Sequence, residues 1–389
     1  MKKRIPELDG LRTLMIFIVS WYHIWQQSWL TPSVGNTSLD FLVRSGYVWV
    51  DGTVVLSAFL MLLPVARAGL SAQPEPASAF YRRRACRILP SYYFIVLLTL
   101  FVIVLPWDLY YAPQYMVKDL FTHFTLTFTF WYDTYVATPL GAAAWTLAIE
   151  AQAWLLFPLL LRALRKKPVL TLAGMLILCA GFRGWVLWAL TDYSTVVNQL
   201  INFLDVYVIG FLAAFAFAKM EKTLSEKERV LPVSLAATVV FIGCVFGLVV
   251  LLKAQAASGG YAQIQRGQML RRPLFALCFA GLILSAPFSL RPLRFLLGNP
   301  VMKFLAGISM NYYLIHQTLA VHLKRLGIPA SLSSEPNIDG DRIWQHRYTL
   351  LCFGLSLLLA TAITYLVEKP GGRLLRRWTE KKTTVTEGD

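Results

Sequence analysis

A chain of 389 residues with 57% hydrophobic, 14% aromatic and only 15% charged side chains, and a mean hydropathy of +0.55, is too apolar for a water-soluble domain. Its formal charge of +16 would suit nucleic acid if it lay in one soluble patch, but the basic residues fall in alternate loops between apolar runs, and no nucleic-acid partner is expected. The five cysteines (86, 179, 244, 278 and 352) stand one per segment, without a CxxC or a histidine cluster, so neither a disulfide framework nor a metal site is expected.

Apolar stretches of about 18 residues or more recur from end to end and mark helical spans. Ten are predicted, over residues 10–30, 48–66, 88–106, 143–161, 169–190, 197–218, 231–252, 273–289, 301–323 and 348–367. The fold class expected is all-α, a polytopic integral membrane bundle of about ten transmembrane helices. With a cytoplasmic N-terminus, inside segments hold 26 Lys and Arg and outside loops hold 10, a bias that places both termini in the cytoplasm. Lys253, Arg266, Arg271 and Arg272 form an outside loop against that trend. Met1–Arg4 ahead of an apolar run resembles a signal peptide, but no small-residue cleavage site follows, so the run is read as a retained first span.

The first span places Arg12 and His23 in LDGLRTLMIFIVSWYH. Eleven helical steps return to within roughly 20° of the starting direction, so both side chains share one face about 16 Å apart. An ionisable residue that deep in an apolar helix is a functional-site hypothesis; a bundle histidine bonded to a neighbour is the alternative. After an outside loop at 31–47, Asp51 opens the second span near the outer interface. The cytoplasmic segment that follows is rich in Pro, Ala and Ser and then strongly basic, with Arg82, Arg83, Arg84 and Arg87. Arg84 and Arg87 are neighbours on a helical turn, and they serve either as anchors to anionic lipid headgroups or as an anion site.

Residues 107–142 form the longest outside segment and hold Trp107, Tyr110, Tyr111, Tyr115, Trp131, Tyr132 and Tyr135. Met116 to Trp131 is read as an interfacial or re-entrant helix, because a span there would reverse the charge rule for Arg162 to Lys167. Its aromatics suit an interface belt or a stacking platform for a sugar. The fourth span opens with Trp145 and carries Glu150, whose carboxylate needs a partner or water. Arg183 is expected to pair with Asn198, Asn202 or Asp205 inside the bundle. The ninth span carries Tyr312 and His316 one turn apart, and a basic tail without fold signal follows Pro370. No inverted repeat of the transporter kind is present.

Rise and orientation together place three groups in the outer third of a ~30 Å core. His23 and His316 lie about 20 Å above the inner ends of their spans, and Glu150 about 10 Å below its outer end. Two imidazoles and a carboxylate at one level form an acid/base set. The guanidinium groups lie at the inner face, where their forks suit phosphates.

These motifs resemble the acyltransferase family 3 membrane proteins. Arg12 and His23, ten residues between them, match the family's opening pattern; VDGTVVLSAFL at 50–60 is similar to its VDxFFVLSGFL; Arg84 and Arg87 match its RxxR. WTLAIE at 145–150 matches WSLSVE, SMNYYLIH at 309–316 matches SYSIYLIH, and EKP at 368–370 matches ERP. The departures are Gly52, Thr53 and Val54 for bulkier residues and Ala58 for glycine. The resemblance implies an acyltransferase domain over 1–370 and a polar basic cytoplasmic tail at 371–389. It implies acyl transfer, often acetyl, from cytosolic acyl-CoA (acetyl-CoA) as donor to a hydroxyl of a glycan or lipid-linked sugar on the outer side. By the same carry-over His23 is the catalytic imidazole, Glu150 its partner, and Arg12, Arg84, Arg87 and Arg83 the coenzyme A contacts. Asp51, Trp145, Tyr312 and His316 are weaker substrate-binding candidates. The expected setting is a bacterial inner membrane, with membrane lipids around the chain, a homodimer left open, and any delivery partner a separate chain. The rival reading is a transporter or flippase of an anionic metabolite, which uses the same intramembrane His and Glu as a relay.

Overall fold

The computed structural model describes residues 4–225 and 231–386. Lys2, Lys3, Lys227 and Arg229, counted above as inside charges, lie outside the described residues, as do tail residues 387–389. The helices in chain order are α1 (Glu7–Ser28), α2 (Asp40–Arg44), α3 (Trp49–Ala68), α4 (Ala77–Thr99), α5 (Pro113–Phe124), α6 (Tyr132–Tyr135), α7 (Trp145–Lys166) and α8 (Pro168–Ala189). Then come α9 (Leu204–Ser225), α10 (Leu231–Ala256), α11 (Tyr261–Ser285), α12 (Arg291–Gly298), α13 (Pro300–Arg325), α14 (Arg342–Ile363) and α15 (Lys369–Thr386). Two-residue strands Ser33–Val34 and Thr37–Ser38 pair antiparallel in the first loop.

The protein is all-α and membrane-spanning: among the described residues, eight helical stretches are long and apolar enough to cross a membrane. They correspond to the second to eighth and tenth predicted spans. The first and ninth are present as helices α1 and α13. They fall short of the apolar threshold because they carry Arg12, Ser20, His23 and Gln26 in one and Asn311, His316 and Gln317 in the other.

The chain divides into two compact units, and the division falls within α1, α7 and α13. The first holds Met1–Trp25, Thr31–Ala72 and Leu159–Gly307. In it α3 packs along α9, where a Cβ on Gly210 would lie 2.6 Å from the Ala58 methyl, so the glycine opposite makes room for the alanine. Gly52 lies against the Phe279 ring, 2.7 Å from where its own Cβ would stand, so the bulk absent at 52 is supplied by α11.

The polar core of this unit corrects one expectation. Lys253 is in helix α10 and Arg266, Arg271 and Arg272 are in helix α11, not in an outside loop, and Arg272 is fully buried. Its Nε donates to Asp51 at 3.2 Å, its Nη1 donates to the carbonyls of Val197 and Asn202, and its guanidinium stacks 3.7 Å over Phe203. Arg183 pairs as expected, with its Nε on Asn202 at 2.9 Å and its Nη1 2.9 Å from Asp205. Removing one partner of a buried ion pair strands the other, at a cost of about 3–5 kcal/mol. Arg272→Met should therefore lower thermal stability in detergent steeply, and Asp51→Asn added to it should recover much of the loss. Equal melting temperatures for wild type and Arg272→Met would show that the pair contributes nothing.

The second unit holds Gln26–Leu30, Gln73–Pro158 and Ile308–Asp389. Its segment 107–142 folds around a buried carboxylate: Asp119 accepts from the hydroxyls of Tyr110 and Thr138, each at 2.6 Å, and lies 2.8 Å from His123 Nδ1. The His123 ring stacks on Phe128, and Tyr92 of α4 donates to the His123 carbonyl, which ties α5 to a spanning helix. Burial, reinforced by the hydrogen bond to Asp119, pushes the Tyr110 phenol well above its ordinary pKa, so it stays a donor. α5 is not among the helices long and apolar enough to cross a membrane, and it ends at Phe124, short of the Met116–Trp131 segment expected as one helix. The tail also differs from expectation. The chain passes from α14 through a π-helical turn at Thr364–Glu368 into helix α15, packed on α4.

Candidate functional site

In the first unit, α1 presents His23 and Arg12, both half-buried. The His23 ring lies 5.0 Å from that of Tyr22, which in turn lies 5.1 Å from Tyr47. The helix start is held by α12. Arg294 Nε donates to Glu7 at 2.9 Å, and a Cβ on Gly10 would fall 2.3 Å from the Leu297 carbonyl oxygen, so only glycine fits the crossing. Thr13 Oγ1 bonds the Asp9 carbonyl one turn below. These contacts fix the helix that carries both candidate residues. Asp51 is spent on Arg272, and its second oxygen is buried without a hydrogen-bond partner among the described residues. That is the geometry of a structural ion pair.

In the second unit, α7 and α13 bring two distant motifs together. Thr146 and Glu150, from the segment that opens with Trp145, are polar neighbours of the buried Tyr313. Tyr312 and His316 are fully buried with their rings stacked, 6.0 Å apart and 7° from parallel. His316 Nδ1 lies 2.7 Å from the Tyr313 carbonyl, which can only accept. The proton of the neutral ring therefore sits on Nδ1, and Nε2 carries the lone pair, the arrangement a base requires. Gln317 Oε1 and Trp154 Nε1 are buried without hydrogen-bond partners among the described residues. Such atoms are costly unless a ligand or water meets them.

The arginines of α4 belong to this unit too. Arg84 lies 5.1 Å over Trp154 and 5.6 Å over Phe80, so its guanidinium is held by cation–π contacts with two aromatic rings. Arg83 pairs with Glu75, and Arg87 is exposed, with its charge bearing on Glu368. Glu368 accepts from Asn311 Nδ2 at 2.7 Å, and the same amide reaches Thr364 Oγ1 at 2.8 Å. The closing EKP motif is thus joined to the SMNYYLIH helix. About 20 Å further along α13, a cavity of 560 Å³ is lined by Lys324, Arg325, Ser331, Ser333, Glu335 and Trp344.

Within the second unit the structure gathers Glu150, Tyr312, His316, Arg84 and Arg87 on α7, α13 and α4; His23, Arg12 and Asp51 belong to the first unit. Sequence reasoning missed Thr146, Tyr313, Asn311 and Glu368 as participants. All four lie inside quoted motifs, so the signal was in the motifs and not in the polarity of single residues. Among the described residues no group of three or more His, Cys, Asp or Glu is placed to hold a metal ion.

Residues 5–367 match the protein family described as Acyltransferase domain. The O-acetyltransferase OatA of Staphylococcus aureus strain NCTC 8325 is 25% identical over 241 residues, 57% of this chain and 37% of that protein. The peptidoglycan O-acetyltransferase OatA of Listeria monocytogenes serovar 1/2a is 25% identical over 169 residues, 40% of this chain and 24% of that protein. The matched regions thus cover well under half the length of these curated relatives. No solved structure matches this chain.

Proposed function

Because this chain belongs to acyltransferase family 3, we propose that it is an O-acyltransferase that moves an acyl group, acetyl foremost, from cytosolic acyl-CoA to a hydroxyl of an extracytoplasmic or lipid-linked carbohydrate. The names of the relatives support that acceptor class, since one of them acts on peptidoglycan. In this reading His23 takes the proton of the acceptor hydroxyl as its oxygen attacks the thioester carbonyl. The carbon–sulfur bond breaks and the imidazolium returns the proton to the departing coenzyme A thiolate. Glu150 stabilises the imidazolium charge, and Arg12, Arg83, Arg84 and Arg87 hold donor phosphates. Both termini face the cytoplasm, and the setting is a bacterial inner membrane.

The observation that carries the reading is the meeting of Glu150 and Thr146 with Tyr313, on helices that also carry Trp154 Nε1 and Gln317 Oε1, buried without hydrogen-bond partners among the described residues. Residues this polar and this enclosed are expected where a polar substrate completes the hydrogen bonding. Glu150→Gln keeps the shape and removes the charge. Turnover should fall on the order of a hundredfold, with the apparent Michaelis constant for acetyl-CoA nearly unchanged. Equal losses in both, or none, would make Glu150 structural.

A further inference from the structure

In the first unit, the short 3-10 turn Gly46–Val48 ahead of α3 lies against α1 at the level of His23. A Cβ on Gly46 would stand 2.8 Å from Tyr22 Cβ and 2.9 Å from the Ile18 carbonyl oxygen. Backbones approach this closely only where glycine removes the side chain. The next residue, Tyr47, places its ring 5.1 Å from that of Tyr22, and the Tyr22 ring is 5.0 Å from that of His23. Trp25, one turn further along α1, stacks on Tyr22 at 6.3 Å. The Tyr47 hydroxyl is itself tethered. Gln255 of α10 is only 1% exposed; its Nε2 donates to Tyr47 Oη at 2.6 Å and to the Ile264 carbonyl at 2.9 Å. Its Oε1 accepts from Arg271 Nη1 of α11 at 2.8 Å. A guanidinium can only donate, so Arg271 fixes which end of the amide faces it and leaves the amide nitrogen to face the phenol. Arg271 also reaches Ser258 Oγ at 3.3 Å, and a Cβ on Gly267 would overlap its Nη1, so the space the guanidinium occupies exists because residue 267 has no side chain.

We propose that Tyr47 is a positioning residue for His23: Arg271, through Gln255, holds the phenol, and the Tyr47 ring holds Tyr22 and with it the imidazole alongside. Packing against Tyr22 needs only the ring. A buried amide and a guanidinium spent on one phenol oxygen go beyond packing, and a satisfied buried network of this kind rigidifies what it holds. The role presupposes His23 as the base of the acyl-CoA reading, and it needs no contact between Tyr47 and substrate.

The test uses the full chain in nanodiscs with isotope-labelled histidine, the His23 ring-nitrogen signals being assigned by their loss in His23→Gln. Tyr47→Phe keeps the ring and cuts the tether; Tyr47→Leu removes both. The expected result is displaced His23 signals in Tyr47→Phe and a larger displacement in Tyr47→Leu, with a thermal melt recording that each is folded. Turnover should fall in the same order, by about tenfold and about a hundredfold, since a misplacement of about 1 Å can cost a hundredfold. The apparent Michaelis constant for acetyl-CoA should stay put, which a general loss of structure would not allow. Gln255→Met, which spares the phenol and cuts the same tether, should reproduce Tyr47→Phe. Unchanged His23 signals in the two folded Tyr47 variants, or wild-type turnover in both, would overturn the positioning role. Failure of the wild-type protein to turn over acetyl-CoA would sink the acyl-CoA reading instead, and the His23 signals alone would then decide whether Tyr47 holds the ring.

Discussion

His23→Ala should abolish acyl transfer, with turnover down by about 10²–10⁴ or more, because general base catalysis contributes about that factor. Insertion should be preserved, since a small neutral residue eases entry of an apolar helix into the membrane. The fold should be preserved as well. His23 is half-buried, and α1 is held at its other end by the Glu7–Arg294 pair and the crossing at Gly10. The check is initial rate per folded protein, with the folded fraction taken from a thermal melt. Full activity in a folded variant would remove the centre of the mechanism.

Arg84→Gln with Arg87→Gln tests the donor site. Each charge-assisted hydrogen bond to phosphate is worth roughly 1.5–3 kcal/mol at best, less where water reaches it, as at the exposed Arg87. The apparent Michaelis constant for acyl-CoA should rise about ten- to a thousandfold, since ~1.4 kcal/mol is a factor of ten. Turnover at saturating donor should change much less, because contacts remote from the reacting carbonyl act alike on ground and transition states. Arg84 also makes cation–π contacts with Trp154 and Phe80, so some loss of stability accompanies its removal. Lower yield with wild-type affinity for a non-hydrolysable acyl-CoA analogue would make the pair a headgroup anchor.

The helices that build these sites were legible in the sequence because apolar length is a local signal. All ten predicted spans correspond to helices, and α1 and α13 fall short of the apolar threshold through the polar residues that drew attention to them. Arg183 with Asn202 and Asp205 was legible for a related reason: an isolated guanidinium in an apolar run demands a nearby polar group. Arg272 was not legible. Its partner Asp51 is 221 residues away, and hydropathy counts a charge where it stands, without the carboxylate that neutralises it. The tail carries no local fold signal in the sequence, because its helix is placed by a contact from elsewhere in the chain: Gly371 and Gly372 are the surface that meets α4. Tyr313 stayed hidden for a third reason, since nothing local marks a tyrosine whose polar neighbours, Thr146 and Glu150, come from another helix.

The most direct measurement gives the purified protein acetyl-CoA labelled in the acetyl group and a soluble glycan acceptor. The expected result is label in ester linkage on the glycan, release of free coenzyme A in equal amount, and loss of both with His23→Ala. Absence of transfer and of hydrolysis from well-folded protein, together with coenzyme-independent flux of an anionic solute in proteoliposomes, would contradict it and favour a transporter.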